Sequence, residues 1–240
     1  MIYNLLMKRH TVKIQGFNVD SFTFDEALNF IDKGQVVTIN PEMIQTASKT
    51  PEFAKIINSA ELVIPDGIGV EIGLKILGNN VRRIAGIEFG RKLIDKFAGY
   101  PTAFIGAKPE VIHKAVGNLK KEVPNLNAVY IQDGYFKDDN KILNELKTAN
   151  PKLALVALGS PKQEIFISKA KKTLPETVFI GLGGSFDVWS GAVKRAPEIY
   201  QKIGLEWLYR TMKEPQRFKR IFPTLPLFVL KVLKERVTGV

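Results

Sequence analysis

The chain contains no cysteine, which excludes disulfide frameworks, thiolate catalysis and cysteine-ligated metal sites and fits a reducing compartment. Histidine is nearly as scarce. His10 and His113 are the only two, and neither stands beside a serine nucleophile or a group of metal-binding residues. His113 falls inside a helical pattern and reads as a surface or packing residue. No P-loop, H-E-x-x-H or G-x-S-x-G motif occurs, so the corresponding phosphate-binding, zinc and serine-nucleophile chemistries lack their signatures. No Asp-x-Asp pair follows a strand candidate, so a nucleotide-bound divalent cation held in that way is not encoded. Leaving-group charge then falls to helix dipoles and to Arg or Lys.

Long apolar runs are also missing. The most apolar late stretch, IFPTLPLFVLKVL, is cut by Pro223, Pro226 and Lys231 and is too short for a bilayer-spanning helix, which needs about 20 apolar residues. The N-terminus, MIYNLLMKRHTVKIQ, places its charges after a very short apolar run, the reverse of a secretory signal. The expectation is a cytoplasmic protein. Internal repeats and low-complexity tracts are absent as well.

Acidic charge is in short supply, with 24 Asp and Glu against 35 Lys and Arg and a net charge of +11. From 201 to 240, nine basic residues face three acidic ones, which supplies more than half of that excess. A basic segment interleaved with Leu, Phe, Ile and Trp reads as a surface for nucleic acid or anionic lipid, or as a solvated basic helix.

What is present is an ordinary globular composition, 240 residues at 45% hydrophobic and 25% charged, enough for one full core. Short β-branched runs alternate with helical patterns, which predicts an α/β fold, a Rossmann-like, mostly parallel sheet with helices on both faces. Strands are expected at 11–14, 35–39, 61–64, 102–105, 128–132, 153–158 and 178–182. Helices are expected at 23–33, 41–59, 69–77, 86–98, 110–123, 140–148 and 162–173. Asn40-Pro41 and Ser160-Pro161 read as N-caps followed by a first-turn proline, and Gly34, Gly78 and Gly99 as helix C-caps. From about 191 the alternation gives way to a basic amphipathic helical pattern. The expected division is a catalytic domain at 1–200 and a membrane-associating C-terminal appendage at 201–240.

In an open α/β sheet, ligands bind beyond the carboxyl ends of the strands. The polar and glycine-rich segments gather there: Thr38 to Asn40, Pro65-Asp66-Gly67, Gly106 to Pro109, Asp133 to Phe136, Gly159 to Glu164 and Gly181 to Asp187. The stretch VIPDGIGVEIG nearly matches a dinucleotide fingerprint, but its glycines are one residue out of register and Asp66 puts a negative charge where a phosphate belongs. Asp66 therefore reads as a helix cap or as a base or ligand, with dinucleotide binding the weaker alternative. LGSPKQE offers free backbone donors, a lysine and an amide as a diphosphate cradle, or simply a helix start. GLGGSFD, which contains Gly184, is a second close-approach turn, or a packing turn whose Phe186 plugs the core.

Taken in order, TINPEMIQTA, IPDGIGVEIG, GAKPEVIHKAVGNLKKEVPNLNAVYIQDGYF, LGSPKQEIFI, GLGGSFDVWSGAVKRAPEIYQKIGLEWLYR and EPQRFKR resemble the WecG/TagA/CpsF glycosyltransferases, from about Thr38 to Arg220. The resemblance implies a Rossmann-like, metal-independent, inverting glycosyltransferase without a cofactor, peripheral on the inner face of the cell membrane. Its substrates would be a UDP-sugar donor and an undecaprenyl-diphosphate-linked GlcNAc acceptor. The short basic C-terminus favours the TagA branch, which moves N-acetylmannosamine into the wall teichoic acid linkage unit. Other branches use UDP-ManNAc uronate or UDP-glucose, and some members form a homodimer. Carried over by position, Asp66 becomes the catalytic base, while Thr38 and Asn40 line the pocket. Arg83, with Arg82 as the alternative, and Gln163 become substrate contacts. Gly106 and Gly184 stand in matching substrate-side loops, and Arg210, Arg217 and Arg220 close over the diphosphate. The resemblance also implies an anionic membrane surface as partner of the C-terminal segment. Two rivals stand outside the family: a basic nucleic-acid-binding protein, whose aromatics form no RNA platform here, and a nucleotide-dependent oxidoreductase resting on loop glycines alone.

Overall fold

A computed structural model of the chain describes residues 8–202, 206–213 and 218–239. Its centre is a six-stranded, wholly parallel sheet formed by β3 (Gly34–Ile39), β4 (Leu62–Pro65), β5 (Pro101–Gly106), β6 (Asn127–Gln132), β7 (Leu153–Ala157) and β8 (Val178–Gly181) in the order β4-β3-β8-β7-β5-β6. Every residue of β3, β4, β7 and β8 is buried, which is why these strands read as unbroken apolar runs. The expected α/β sheet is what the chain forms.

Alternate residues feed opposite faces. Val36, Leu62, Ile64, Phe104, Leu155 and Ile180 pack under α1 (Phe24–Phe30), α5 (Gly86–Lys96), α6 (Pro109–Glu122) and α9 (Ser185–Trp189). On the other face, Val37, Ile39 and Val63 meet α2 (Pro41–Ala47), α3 (Pro51–Asn58) and α4 (Ile68–Ile76). Farther along that face, Ile105, Val156 and Phe179 meet α7 (Asp139–Ala149) and α8 (Lys162–Thr173). Phe186 is fully buried in the core, as its packing-turn reading requires.

Two short strands, β1 (Thr11–Ile14) and β2 (Phe17–Asp20), form an antiparallel hairpin beside the β4 edge. Asp20 is fully buried; it accepts the Val63 backbone N–H at 2.7 Å and pairs with Arg9 at 2.6 Å. The hairpin thus covers the β4 edge, with Asp20 satisfying one of its N–H groups, on the strand that leads to Asp66.

Several local expectations change. The single helix expected at 41–59 is two, because Pro51 forces Thr50 into an extended conformation (φ −132°, ψ 91°) and ends the first helix before it. Gly34 opens β3 rather than capping α1. A Cβ there would lie 2.4 Å from the Glu61 side chain, whose carboxylate accepts the Gln35 N–H. Asn40 does cap α2, with Oδ1 accepting from Met43 N at 3.0 Å, but the N-cap of α8 is Pro161, not Ser160. His113 is exposed on α6.

After α9 the chain runs through α10 (Glu198–Lys202), α11 (Glu206–Lys213) and α12 (Phe218–Thr238). Phe228 and Val232 of α12 are buried in the core shared with Ile14, Val70 and Leu74. Their approach requires a bare α4 surface: a Cβ on Gly73 would lie 2.8 Å from Ile14 and 3.0 Å from the Phe228 ring. Polar contacts reinforce the seat. Gln15 N donates to both Glu235 carboxylate oxygens at 3.1 and 2.9 Å, and Lys231 Nζ donates to Gln45 Oε1 at 2.8 Å. The last described helix of the 201–240 segment is therefore packed onto the α/β body.

Candidate active site

Strand register brings the ends of β3, β4 and β8 side by side, with Ile39 opposite Pro65 and Val36 opposite Ile180. Their loops, together with the β7–α8 loop, surround a cavity of about 870 Å³. Thr224, Leu225, Phe228 and Val229 of α12 roof it.

Asp66 stands at its edge on a turn held from both sides. Its N–H donates to Ile39 O at 2.7 Å, while Ile84 N donates to Pro65 O at 2.8 Å. Gly67 follows with φ +84°, a conformation that a side chain would resist, and serves as the N-cap of α4 without a side-chain cap bond. Asp66 thus stands one residue before the N-cap of α4. Its Oδ1 accepts a long 3.4 Å bond from Gly86 N, the first residue of α5. The half-buried carboxylate faces the cavity beside Thr38, whose methyl closes on Gly86. Thr38 Oγ1 donates to Gly181 O at 3.3 Å.

Asn40, Arg83, Gln163 and Gly184 also line the cavity. The two adjacent arginines differ in position: Arg82 is exposed, whereas Arg83 is part-buried at the wall, with its guanidinium donating to the carbonyl of Gln201 and its N–H to Glu71 Oε2 at 2.8 Å. Gln163 is buried, accepting from Gly183 N at 3.1 Å and donating to Glu164 Oε1 at 2.8 Å. Gly106 is elsewhere. It sits at φ +123° with its Cα against β7, where a Cβ would lie 2.3 Å from Ala157 O, and it does not line the cavity. Arg217 lies outside the described residues. Arg210 and Arg220 fall within α11 and α12, but their side chains also lie outside what is described.

The cavity holds acids that sequence reading did not single out. Glu42, Asp187 and Glu206 join Asp66 on the lining, and Arg83 is the only cation there among the described residues. Asp187 had a signal, since it ends the GLGGSFD turn; Glu42 and Glu206 had none. Glu164 is also buried behind Gln163, and burial raises its carboxyl above the usual range, with Gln163 and Ser160 pulling the other way.

Fold and cavity together define an α/β protein of the open-sheet, Rossmann-like class, with its cleft at the carboxyl edge of the sheet. Over residues 12–240 the chain matches the Glycosyl transferase WecG/TagA/CpsF family, and it belongs to that family. It is 36% identical over 221 residues, 90% of this chain and 86% of the relative, to the N-acetylglucosaminyldiphosphoundecaprenol N-acetyl-beta-D-mannosaminyltransferase of Bacillus spizizenii. It is 37% identical over 232 residues, 94% of this chain and 90% of the relative, to the protein of the same name from Bacillus subtilis strain 168.

Proposed function

We propose that the chain transfers N-acetylmannosamine from UDP-ManNAc to undecaprenyl-diphosphate GlcNAc with inversion, and that Asp66 is the base. The similar proteins are named for that acceptor and a β-mannosaminyl product. The observation that carries the residue assignment is the Asp66 carboxylate, facing an 870 Å³ cavity from a turn pinned at both ends.

In the reaction, an acceptor hydroxyl attacks the anomeric carbon on the face opposite the diphosphate. The bond from that carbon to the diphosphate oxygen breaks, and its electron pair leaves with UDP. The hydroxyl proton passes to the Asp66 carboxylate, the single base that an inverting displacement needs. Arg83 meets the developing negative charge, joined by Arg210, Arg217 and Arg220 of the basic C-terminal segment.

The same reading puts α12 against an anionic membrane. Leu225, Phe228, Val232 and Glu235 turn toward the body, leaving Leu227, Leu230, Leu233 and Val237 exposed with Lys234 and Arg236. No helix of the described residues is long and apolar enough to cross a membrane. Interfacial docking through this stripe, aided by about 1 kcal/mol per basic residue near the surface, would hold the cavity beside its lipid-linked acceptor.

A donor panel tests the reading. With a short-chain lipid-diphosphate GlcNAc analogue, UDP release should be fastest from UDP-ManNAc; release only from UDP-glucose or UDP-ManNAc uronate would overturn the donor assignment.

A further inference from the structure

The first turn of α8 carries two consecutive polar residues, Gln163 and Glu164, that are 4% and 2% exposed. Residues one apart on a helix point about 100° from each other, yet both side chains bend onto one spot, the Cα of Gly181. A Cβ on Gly181 would lie 2.5 Å from Gln163 Nε2 and 3.0 Å from Glu164 Oε1. The bare glycine is what lets amide and carboxyl meet.

That meeting fixes which way the Gln163 amide faces. Its Oε1 is claimed by the Gly183 N–H at 3.1 Å, and one Nε2–H is claimed by Glu164 Oε1 at 2.8 Å. A flip would set N–H against N–H and oxygen against oxygen. The second Nε2–H has no protein acceptor among the described residues, and Gln163 lines the cavity. We propose that Glu164 is a positioning residue for the transfer: it locks the Gln163 amide so that one N–H is presented to an oxygen of the sugar-nucleotide donor. The proposal rests on the donor reading given above.

The carboxyl acts here through the bond that its Oε1 accepts from Gln163 Nε2. The Ser160 hydroxyl comes close enough to the carboxyl to pull its pKa down, but no donor meets Oε2 in full hydrogen-bonding geometry, and none meets the fully buried Gln35 Oε1 across the α8–β3 contact, where Gln35 Nε2 reaches Glu164 O at 3.5 Å. What the lock needs from position 164 is an acceptor oxygen at the Oε1 site, and a neutral amide supplies one as well as a carboxylate does. Glutamine has that shape and polarity, which makes the conservative variant informative.

The test is steady-state kinetics on the full chain, varying UDP-ManNAc and the lipid-diphosphate GlcNAc analogue in turn, with melting curves and calorimetric UDP-ManNAc binding alongside. Glu164→Leu keeps the volume but frees the amide. Donor KM should rise about tenfold, as expected for one lost hydrogen bond to a charged or strongly polar ligand, with acceptor KM within about twofold. Glu164→Gln should restore donor KM to within about twofold of the parent. An unchanged donor KM in Glu164→Leu, or a Glu164→Gln as impaired as Glu164→Leu, overturns the proposal. Should Glu164→Leu not fold, Glu164→Gln decides: donor KM more than about fivefold above the parent overturns positioning by an acceptor, and a value within about twofold supports it. Failure of the parent chain to bind UDP-ManNAc would instead remove the donor reading itself.

Discussion

At the β3–β4–β8 end of the sheet the loops that follow the strands open onto a cavity; at the β5–β6 end loops of similar composition close on one another. Ala107 N donates to Ala157 O at 3.1 Å, and Gly134 N donates to Ala107 O at 2.8 Å, so the glycines there serve backbone-to-backbone contact. At the cavity end the glycine turns leave space, and a separate helix, α12, supplies the roof. Glycine and polar residues after a strand therefore mark a tight turn at both ends. Strand order and the presence of a roof decide which turns open onto a cavity.

This contrast can be attacked from each side. The roof should give the largest change in stability. Phe228→Ala empties a fully buried ring site between α12 and α4, and we expect a loss of about 3–5 kcal/mol in chemical denaturation, with transfer reduced as the roof loosens. A loss below about 1 kcal/mol would mean that α12 is not seated as described.

Next come two glycines in opposite situations. Gly106→Ala forces a methyl into Ala157 O at a positive φ and should destabilise by about 1–3 kcal/mol, without a selective change in donor KM. Gly184→Ala has room, its Cβ lying 3.7 Å from Asp187 Oδ2. Its stability should hold within about 0.5 kcal/mol while donor KM rises about tenfold, because the methyl enters the cavity. Finding the two effects exchanged would reverse the assignment of the two ends.

The smallest change is expected outside. Leu230 is 64% exposed on the stripe of α12 that faces away from the core. Leu230→Glu should leave the melting curve unchanged and weaken co-sedimentation with anionic liposomes about tenfold. Undiminished liposome binding would separate this stripe from the membrane.

The legible parts of the fold were those in which one force dominates. QVVTI and LALVAL announce strands because both faces of a parallel sheet are buried. FNVD did not, since its inward aspartate is sustained by Arg9 and by the Val63 N–H, partners far away in sequence. Within the site, Thr38, Asn40, Asp66, Gln163 and Gly184 were found from motifs and do converge on one cavity. Gly106 was drawn in by its position at a strand end, and only strand pairing reveals that β7 fills the space beside it. The choice of Arg83 over Arg82, the acids Glu42 and Glu206, and the lock of Glu164 on Gln163 all depend on which helix face meets which strand end. Local sequence carries no trace of that.

In the proposed reaction, transfer takes place at the β3–β4–β8 end with Asp66 as base. Its most direct test measures, for Asp66→Asn, both the rate of transfer from UDP-ManNAc and the affinity for that donor. The expected rate is lower by about 10²–10⁴, the usual contribution of a general base, with donor affinity within about threefold and an unchanged melting curve. Turnover at the parent rate would contradict it.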